Sequence, residues 1–278
     1  MQKTIFLILS IIWFAIASLN ATIIRVPANY STIQAAINAA IAGDTVLVSP
    51  GTYFENVVWG NKQLVVGSLF LTTSDTSYIG QTIIDGQLNG LYGMTIGNYE
   101  YDTGKVFTGF TITNCNPGGL HIKTPMYIHH VRTINNIGNG IDIFPSQWAL
   151  VIMYDIVSSY NTLEGIHHHL AKVKLDRIVV ANNGRMGIWL QSGIDTISNV
   201  LAINNERGIY CWNARLDIFN CTFVNNNYGI WNHEGNAFIH NTILSNFVKN
   251  GKGTGSSVTR TDYNMISSGQ NSFEIEPA

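Results

Sequence analysis

The sequence predicts an all-β fold, a right-handed parallel β-helix: a solenoid with rungs of about 21 residues and a short N-terminal capping helix. Three registers that share one period carry that prediction. A Gly followed by Leu or Ile recurs at Gly119-Leu120, Gly140-Ile141, Gly165-Ile166, Gly187-Ile188, Gly208-Ile209 and Gly229-Ile230, at intervals of 21, 25, 22, 21 and 21. Four or five residues ahead of each Gly stands an Asn (Asn114, Asn135, Asn161, Asn182, Asn204, Asn225), and Asn246 continues the series. A second set, Asn199, Asn220 and Asn241, runs five residues ahead of its partners. Self-similarity at a fixed period is the mark of stacked repeats.

The period has a physical reading. Each repeat holds short apolar alternations such as Ile188/Leu190, Val200/Ala202 and Ile218/Cys221/Phe223, too short for helices and punctuated by Gly and Asn. One such unit cannot bury its apolar face alone, whereas stacked coils can. Asn tolerates the left-handed backbone of tight turns and Gly tolerates it better. Asn side chains stacked at one turn can also bond to the rungs above and below. No 3.6-residue pattern runs through the repeats, which excludes a solenoid of helix pairs.

The elements follow in chain order. In residues 1–21, Lys3, the apolar run Ile5 to Ala17 and small residues at Ala17, Ser18 and Ala21 form the pattern of a cleaved export signal, too short for a membrane anchor. The remaining 22–278 read as one β-helix domain, secreted or held at the cell surface. Within 22–56, Ser31-Thr32-Ile33-Gln34 is a capping-box pattern opening a helix through about Ile41, with Ile33, Ile37, Ala40 and Ile41 on one face. Gly43-Asp44 ends it, and Thr45–Val48 reads as the first strand. A helix there would close the adhesive end of the coil. Residues 57–113 form irregular rungs with strands at Leu64–Val66, Gln81–Ile84 and Phe107–Ile112, and residues 114–250 form the regular ones.

Composition bounds the partners. Charged residues make up only 12 %, against 26 Gly, 6 Trp and 12 Tyr, which suits an all-β chain with many turns and a surface of amides and aromatics. A net charge of −2 argues against nucleic acid, or an anionic membrane once the signal is removed. Of three cysteines, Cys211 and Cys221 lie on successive strands and could bridge, leaving Cys115 unpaired. The preferred alternative is three buried thiols acting as small apolar groups.

The stretch Val26-Pro27-Ala28-Asn29-Tyr30-Ser31-Thr32-Ile33-Gln34-Ala35-Ala36-Ile37, then Gly43-Asp44-Thr45-Val46, Pro50-Gly51-Thr52-Tyr53 and Glu55-Asn56, resembles the N-terminal cap of the pectin-lyase-like right-handed β-helix superfamily. With the repeats, the resemblance covers nearly all of residues 25–266. It implies the fold strongly. For activity it implies only a range: polysaccharide lyases, hydrolases and epimerases, or surface proteins without one. Asp262-Tyr263-Asn264 through Ala278 is similar to the start of that family's closing region. Residues 251–278 are therefore expected to be an incomplete end, with a cap or sorting module beyond them.

Because strands alternate faces, residues two and four after each Gly should point outward. The first column is His121, Asp142, His167, Trp189, Tyr210 and Trp231; the second is Lys123, Phe144, His169, Gln191, Trp212 and His233. Rungs about 4.8 Å apart place them side by side on one sheet. Stacking between rungs would stabilise the coil by about 0.5–1.5 kcal/mol per aromatic pair. The favoured reading is a groove in which Trp189, Tyr210, Trp212 and Trp231 stack sugar rings beside Gln191 and His233.

A glycosidase needs two carboxyl groups roughly 5–9.5 Å apart. Asp142 is the columns' only carboxylate and Glu164 its nearest candidate partner; Glu206 and Glu234 lie about three and four rungs away, too far at that rise. A lyase or epimerase needs a base for the proton beside a uronate carboxylate and a cation to neutralise the latter. His121, Lys123, Asp142, His167 and His169 are the candidates for those roles, with Arg185 and Arg207 to hold substrate carboxylates. His167-His168-His169 with His121 and Asp142 has the right residue types for a metal, but His168 should point inward, and the expected state is metal-free. No cofactor is required by these residues, although a divalent cation is compatible with them. The expectation is thus a secreted polysaccharide-binding or polysaccharide-processing protein, as an enzyme a uronate lyase or epimerase rather than a hydrolase. The alternative is a non-catalytic surface or adhesion solenoid.

Overall fold

Short apolar alternations joined by tight turns wind this chain into a coil in which every strand pairing among the described residues is parallel. The computed structural model describes residues 21–99, 103–145, 149–254, 258–262, 265–266 and 273–275. The expected export signal lies outside them apart from Ala21. Each regular rung gives one short strand, such as Met186–Gln191 or Arg207–Trp212, to a sheet that is ten-stranded among the described residues. It gives a longer strand to a second, long sheet: Met126–Ile134, Leu150–Ser159, Lys172–Ala181 and Ile194–Ile203. Each long strand bends at one left-handed residue, His130, Asp155, Arg177 or Asn199. At Asn220 and Asn241 the same bend divides the strand in two.

Inward residues fill the coil. Ile188, Leu190, Val200, Ala202, Ile218, Cys221 and Phe223 are all buried in one continuous core. Cys115, Cys211 and Cys221 are buried and unbridged. No helix among the described residues is long and apolar enough to cross a membrane.

The turn between the long sheet and the ten-stranded sheet holds a ladder of buried amides: Asn136, Asn161, Asn183, Asn205, Asn226, Asn246 and Asn250. Each carbonyl from Asn161 onward accepts from both the backbone N–H and the side-chain amide of the member before it, as at Asn205, where Asn183 donates twice at 3.1 Å. The second amide proton goes to a backbone carbonyl, for Asn205 that of Val180 at 3.1 Å. This corrects the register expected from sequence by one residue. Asn114, Asn135, Asn182, Asn204 and Asn225 take the left-handed turn conformation, and the ladder is carried by the position after them. Only Asn161 and Asn246 of that series are ladder members, with Tyr160 making the left-handed turn ahead of Asn161.

The recurring Gly is likewise required for a different reason from the one its turn position suggests. None of Gly119, Gly140, Gly165, Gly187, Gly208 and Gly229 has positive φ. A Cβ on Gly187 would sit 2.7 Å from the Gly208 carbonyl oxygen and 3.0 Å from the Asn205 amide nitrogen. Gly is there because the ladder lies against it.

The N-terminal helix runs Ile33–Ala39, and its N-cap is Thr32, whose hydroxyl accepts from the Ala35 N–H. The capping box read from sequence is replaced by a distant one. Glu55, on the next rung, accepts from the Ile33 and Gln34 N–H groups at 2.9 Å each, while Gln34 itself bonds to Val58. Thr45–Val48 is preceded by the strand Ile23–Val26, which pairs with it. The expected strand Phe107–Ile112 is two, Lys105–Thr108 and Thr111–Thr113, parted at left-handed Gly109. Between the strands Val65–Ser68 and Thr82–Asp85 lie two short helices, Phe70–Thr73 and Ser77–Gln81, that sequence periodicity did not indicate.

One corner of the coil buries a titratable pair. His168 faces inward, its Nε2 accepting from the Ala171 N–H at 2.9 Å, so its ring proton is on Nδ1. Asp195 Oδ1 accepts from the Val173 N–H and lies 3.8 Å from His168 Nε2. Burial lowers the imidazole to about 4 and raises the carboxyl to about 7.

Asn205→Ala strands several buried groups at about 1–3 kcal/mol each and is expected to destabilise by roughly 3 kcal/mol or more in urea unfolding. Exposed Asn204→Gly keeps the left-handed turn and should stay within about 0.5 kcal/mol of wild type. For the corner pair, native Asp195 keeps its proton to about pH 7, whereas the unfolded chain loses it near 3.8, so its contribution is full below that value and lost as pH rises through 7. His168 has the opposite sign: its contribution is full above 6.5 and lost as pH falls toward 4. Asp195→Asn should therefore gain stability over wild type between pH 5 and pH 8, at about 1.4 kcal/mol per pKa unit. A pH-independent difference between the two proteins would contradict the raised pKa of the buried Asp195 carboxyl.

Candidate functional site

The Gly-Ile pattern places every third residue of the motif on the outer face, since Gly clears the ladder and Ile faces the core. Strand register then aligns His121, Asp142, His167, Trp189, Tyr210, Trp231 and Lys252 as one column. His169, Gln191, Trp212, His233 and Thr254 form the column beside it. Phe144 joins the two through ring contacts with His121, His167 and His169.

At the earlier rungs the column closes around Asp142, which is only 4 % exposed. Tyr92 Oη donates to Asp142 Oδ2 at 2.8 Å, Asn139 Nδ2 donates to Oδ1 at 2.7 Å, and His167 Nδ1 lies 3.3 Å from Oδ1. Burial, then the Asp142 charge, raises the Tyr92 phenol above its usual range, so it stays a donor. His121 packs on the Tyr92 ring at 4.5 Å. Burial and the neighbouring Lys123 charge lower its pKa, leaving a neutral imidazole at neutral pH. Lys123 lies 4.9 Å over the Tyr99 ring. Glu164 is buried rather than free to pair with Asp142: its Oε1 lies 3.1 Å from Arg185 Nη1, and burial raises its pKa.

At the later rungs the column is aromatic and cationic. His167 stacks on Trp189 at 4.4 Å, and Trp189, Tyr210 and Trp231 continue at 6.0 and 6.1 Å. Arg207 lies 5.0 Å over Tyr210 and 4.2 Å over Trp231, and Lys252 lies 4.5 Å over Trp231, all within cation–π range. Trp212 is exposed, with His233 6.1 Å from it and tied to Thr254. Gln191 stands between His169 and Trp212 on the second column.

The structure thus brings together His121, Asp142, His167 and Lys123, and separately Trp189, Tyr210, Trp231 and Arg207. It draws Arg185 toward Glu164 and turns His169 toward Phe144. Two members of the Asp142 cluster were not legible. Tyr92 belongs to the irregular rungs, where no period assigns a face; Asn139 directly precedes Gly140, and its place three residues before Asp142 was the available signal. A third group, around Tyr154 and Arg177, lies on the long sheet. Two grooves of about 340 and 380 Å³ lie there, flanking Arg177.

With this geometry in hand, comparison places the chain among known folds. Residues 101–248 match the family described as right handed beta helix region. No curated protein matches the chain. Among solved structures, a mannuronan C-5 epimerase A-module of Azotobacter vinelandii aligns over 89 % of this chain and 94 % of its own, with a TM-score of 0.59 and 13 % identity. An alginate lyase of Paenibacillus aligns over 90 % and 97 %, with a TM-score of 0.56 and 11 % identity. A pectate lyase aligns over 91 % and 80 %, with a TM-score of 0.54 and 14 % identity. At such identities the likeness is one of fold.

Proposed function

The chain belongs to the right handed beta helix family, the fold of the pectin-lyase-like superfamily, and on that premise we propose that it is an exported protein that binds or processes uronate-containing polysaccharide along its ten-stranded sheet. The observation that carries this reading is the outward column itself. It joins a ladder of aromatic faces holding Arg207 and Lys252 to a neutral His121 beside Lys123 and the enclosed Asp142. Aromatic faces take sugar rings, and cations beside them suit sugar carboxylates. The apolar segment after Lys3 supports export.

As an enzyme, the chain would use His121 to take the C5 proton beside the uronate carboxylate while Lys123 neutralises that carboxylate. In a lyase the electron pair then forms the C4–C5 double bond as the C4–O bond breaks and the leaving oxygen takes a proton from water. In an epimerase water returns a proton to the opposite face of C5. Asp142 already accepts from Tyr92 and Asn139, with His167 beside it, so it is a positioning group rather than a free base. Hydrolysis is less well supported, since Glu164 is held by Arg185 and the column positions adjoining Asp142, His121 and His167, are not carboxylates. That same absence favours the second reading, a non-catalytic surface solenoid whose aromatics only stabilise the coil.

Incubation with acidic and neutral polysaccharides, following unsaturated-product absorbance and reducing ends, should give unsaturated product with an acidic one and lose it in His121→Ala. No unsaturated product, no new reducing ends and, in deuterated water, no solvent deuterium taken up beside the uronate carboxylate with any of them sinks the enzyme reading, lyase or epimerase, for that panel. Trp189→Ala with Trp212→Ala should weaken polysaccharide binding by about 1–3 kcal/mol per lost stacking face, going by the worth of aromatic stacking platforms elsewhere. Unchanged affinity with lowered stability would make these aromatics structural.

A further inference from the structure

At the bend of the long sheet most rungs place Gly or Asn, as at Gly109, Asn199, Asn220 and Asn241, the residues that left-handed backbone favours. Three successive rungs place His130, Asp155 and Arg177 there instead. Asp and His also take that conformation more readily than most residues, but an arginine gains nothing from it, and such a departure is typical of functional positions. The three side chains are joined. Asp155 accepts from Arg177 Nε and Nη2 at 2.7 and 2.9 Å, and His130 Nε2 lies 3.5 Å from Asp155 Oδ2. Asp176 takes the remaining edge of the guanidinium and accepts from Ser198 Oγ and Asn199 Nδ2 at 2.8 and 2.7 Å. His129, 3.0 Å from His130 through their Nδ1 atoms, stacks flat on Tyr154 at 4.7 Å. The result is a braced ridge with a groove on either side.

Each groove holds one exposed cation that makes no ion pair among the described residues, Arg132 in the first and Lys174 in the second. Their floors are apolar, Val157 and Val179 in the first and Ile152 with the Tyr154 ring in the second. We propose that this ridge and its two grooves form a second ligand site, separate from the ten-stranded sheet, for an anionic glycan laid across the rungs. One acidic sugar occupies each groove, its acid group on Arg132 or Lys174, with the Tyr154 ring beneath the second sugar. Two separated cations on a chain of net charge −2 suit the single carboxylate of one uronate in each groove rather than the dense phosphate backbone of a nucleic acid.

The test is titration of the full chain with a galacturonate hexamer and with a neutral cellulose hexamer, following the His129 and His130 imidazole resonances and binding heat. The acidic hexamer should shift both resonances and the neutral one neither. Arg132→Ala with Lys174→Ala should weaken the resonance-detected binding at least about tenfold, whereas Arg132→Lys with Lys174→Arg, which keeps both charges, should retain it within about threefold. Trp189→Ala with Trp212→Ala should leave these shifts in place, so failure of the ten-stranded groove would appear separately, as unchanged total heat. Resonances that stay still at saturating acidic hexamer, or move equally in the double alanine variant, would overturn the proposal.

Discussion

A buried carboxamide has two protons to give and a carbonyl that can accept twice, and a coil must hold each rung in register on the next. The amides from Asn136 to Asn250 meet both conditions at once. From Asn161 to Asn226 each member bonds to the rungs on both sides and to a backbone carbonyl, so none of its polar capacity is stranded in the core. Because every ladder member is both donor and acceptor, a shift of one rung by a single residue would leave several buried groups unpaired. The Gly beside each amide belongs to the same constraint, since any larger residue would push the ladder or the next carbonyl aside.

Register held this firmly has consequences on the outer face. Equivalent positions of successive rungs align into columns, so whatever chemistry occupies one position is repeated or graded along the axis. On the ten-stranded sheet the gradient runs from an enclosed carboxylate beside the neutral His121 imidazole to aromatic faces bearing cations. A polymer lying along the axis would meet a chemically distinct surface at each end. The enclosure of Asp142 by Tyr92 and Asn139 keeps the earlier end fixed in shape.

The long sheet obeys the same stacking with a different outcome. Its bend also repeats at every rung, and where Asn199, Asn220 and Asn241 occupy it the demand is only conformational. Where His130, Asp155 and Arg177 occupy it, a conformational position carries charge, and the aligned rungs bring the three side chains within contact. Stacking also explains the inward corner. His168 and Asp195 come from different turns of the coil and are buried together because the rungs superpose, each with a backbone N–H as partner.

The sequence by itself determined the coil, its period, the helix that closes its start, and which residues share the outer columns. These are local matters of alternation, turn residues and spacing, each repeated often enough to be read. It also placed His168 inward, because alternation of faces needs no knowledge of neighbours. Which of two adjacent Asn residues builds the ladder was decided only by tertiary structure, since Asn204 and Asn205 differ in whether the backbone aims them at solvent or at the next rung. The same holds for Glu55 as the cap of a helix 22 residues away, and for Tyr92 at Asp142, drawn from rungs without a regular period. The ridge at Arg177 was hidden for a related reason. Its members are about one rung apart in sequence and differ in type, so no periodic pattern marks them, and only superposition of the rungs makes them neighbours.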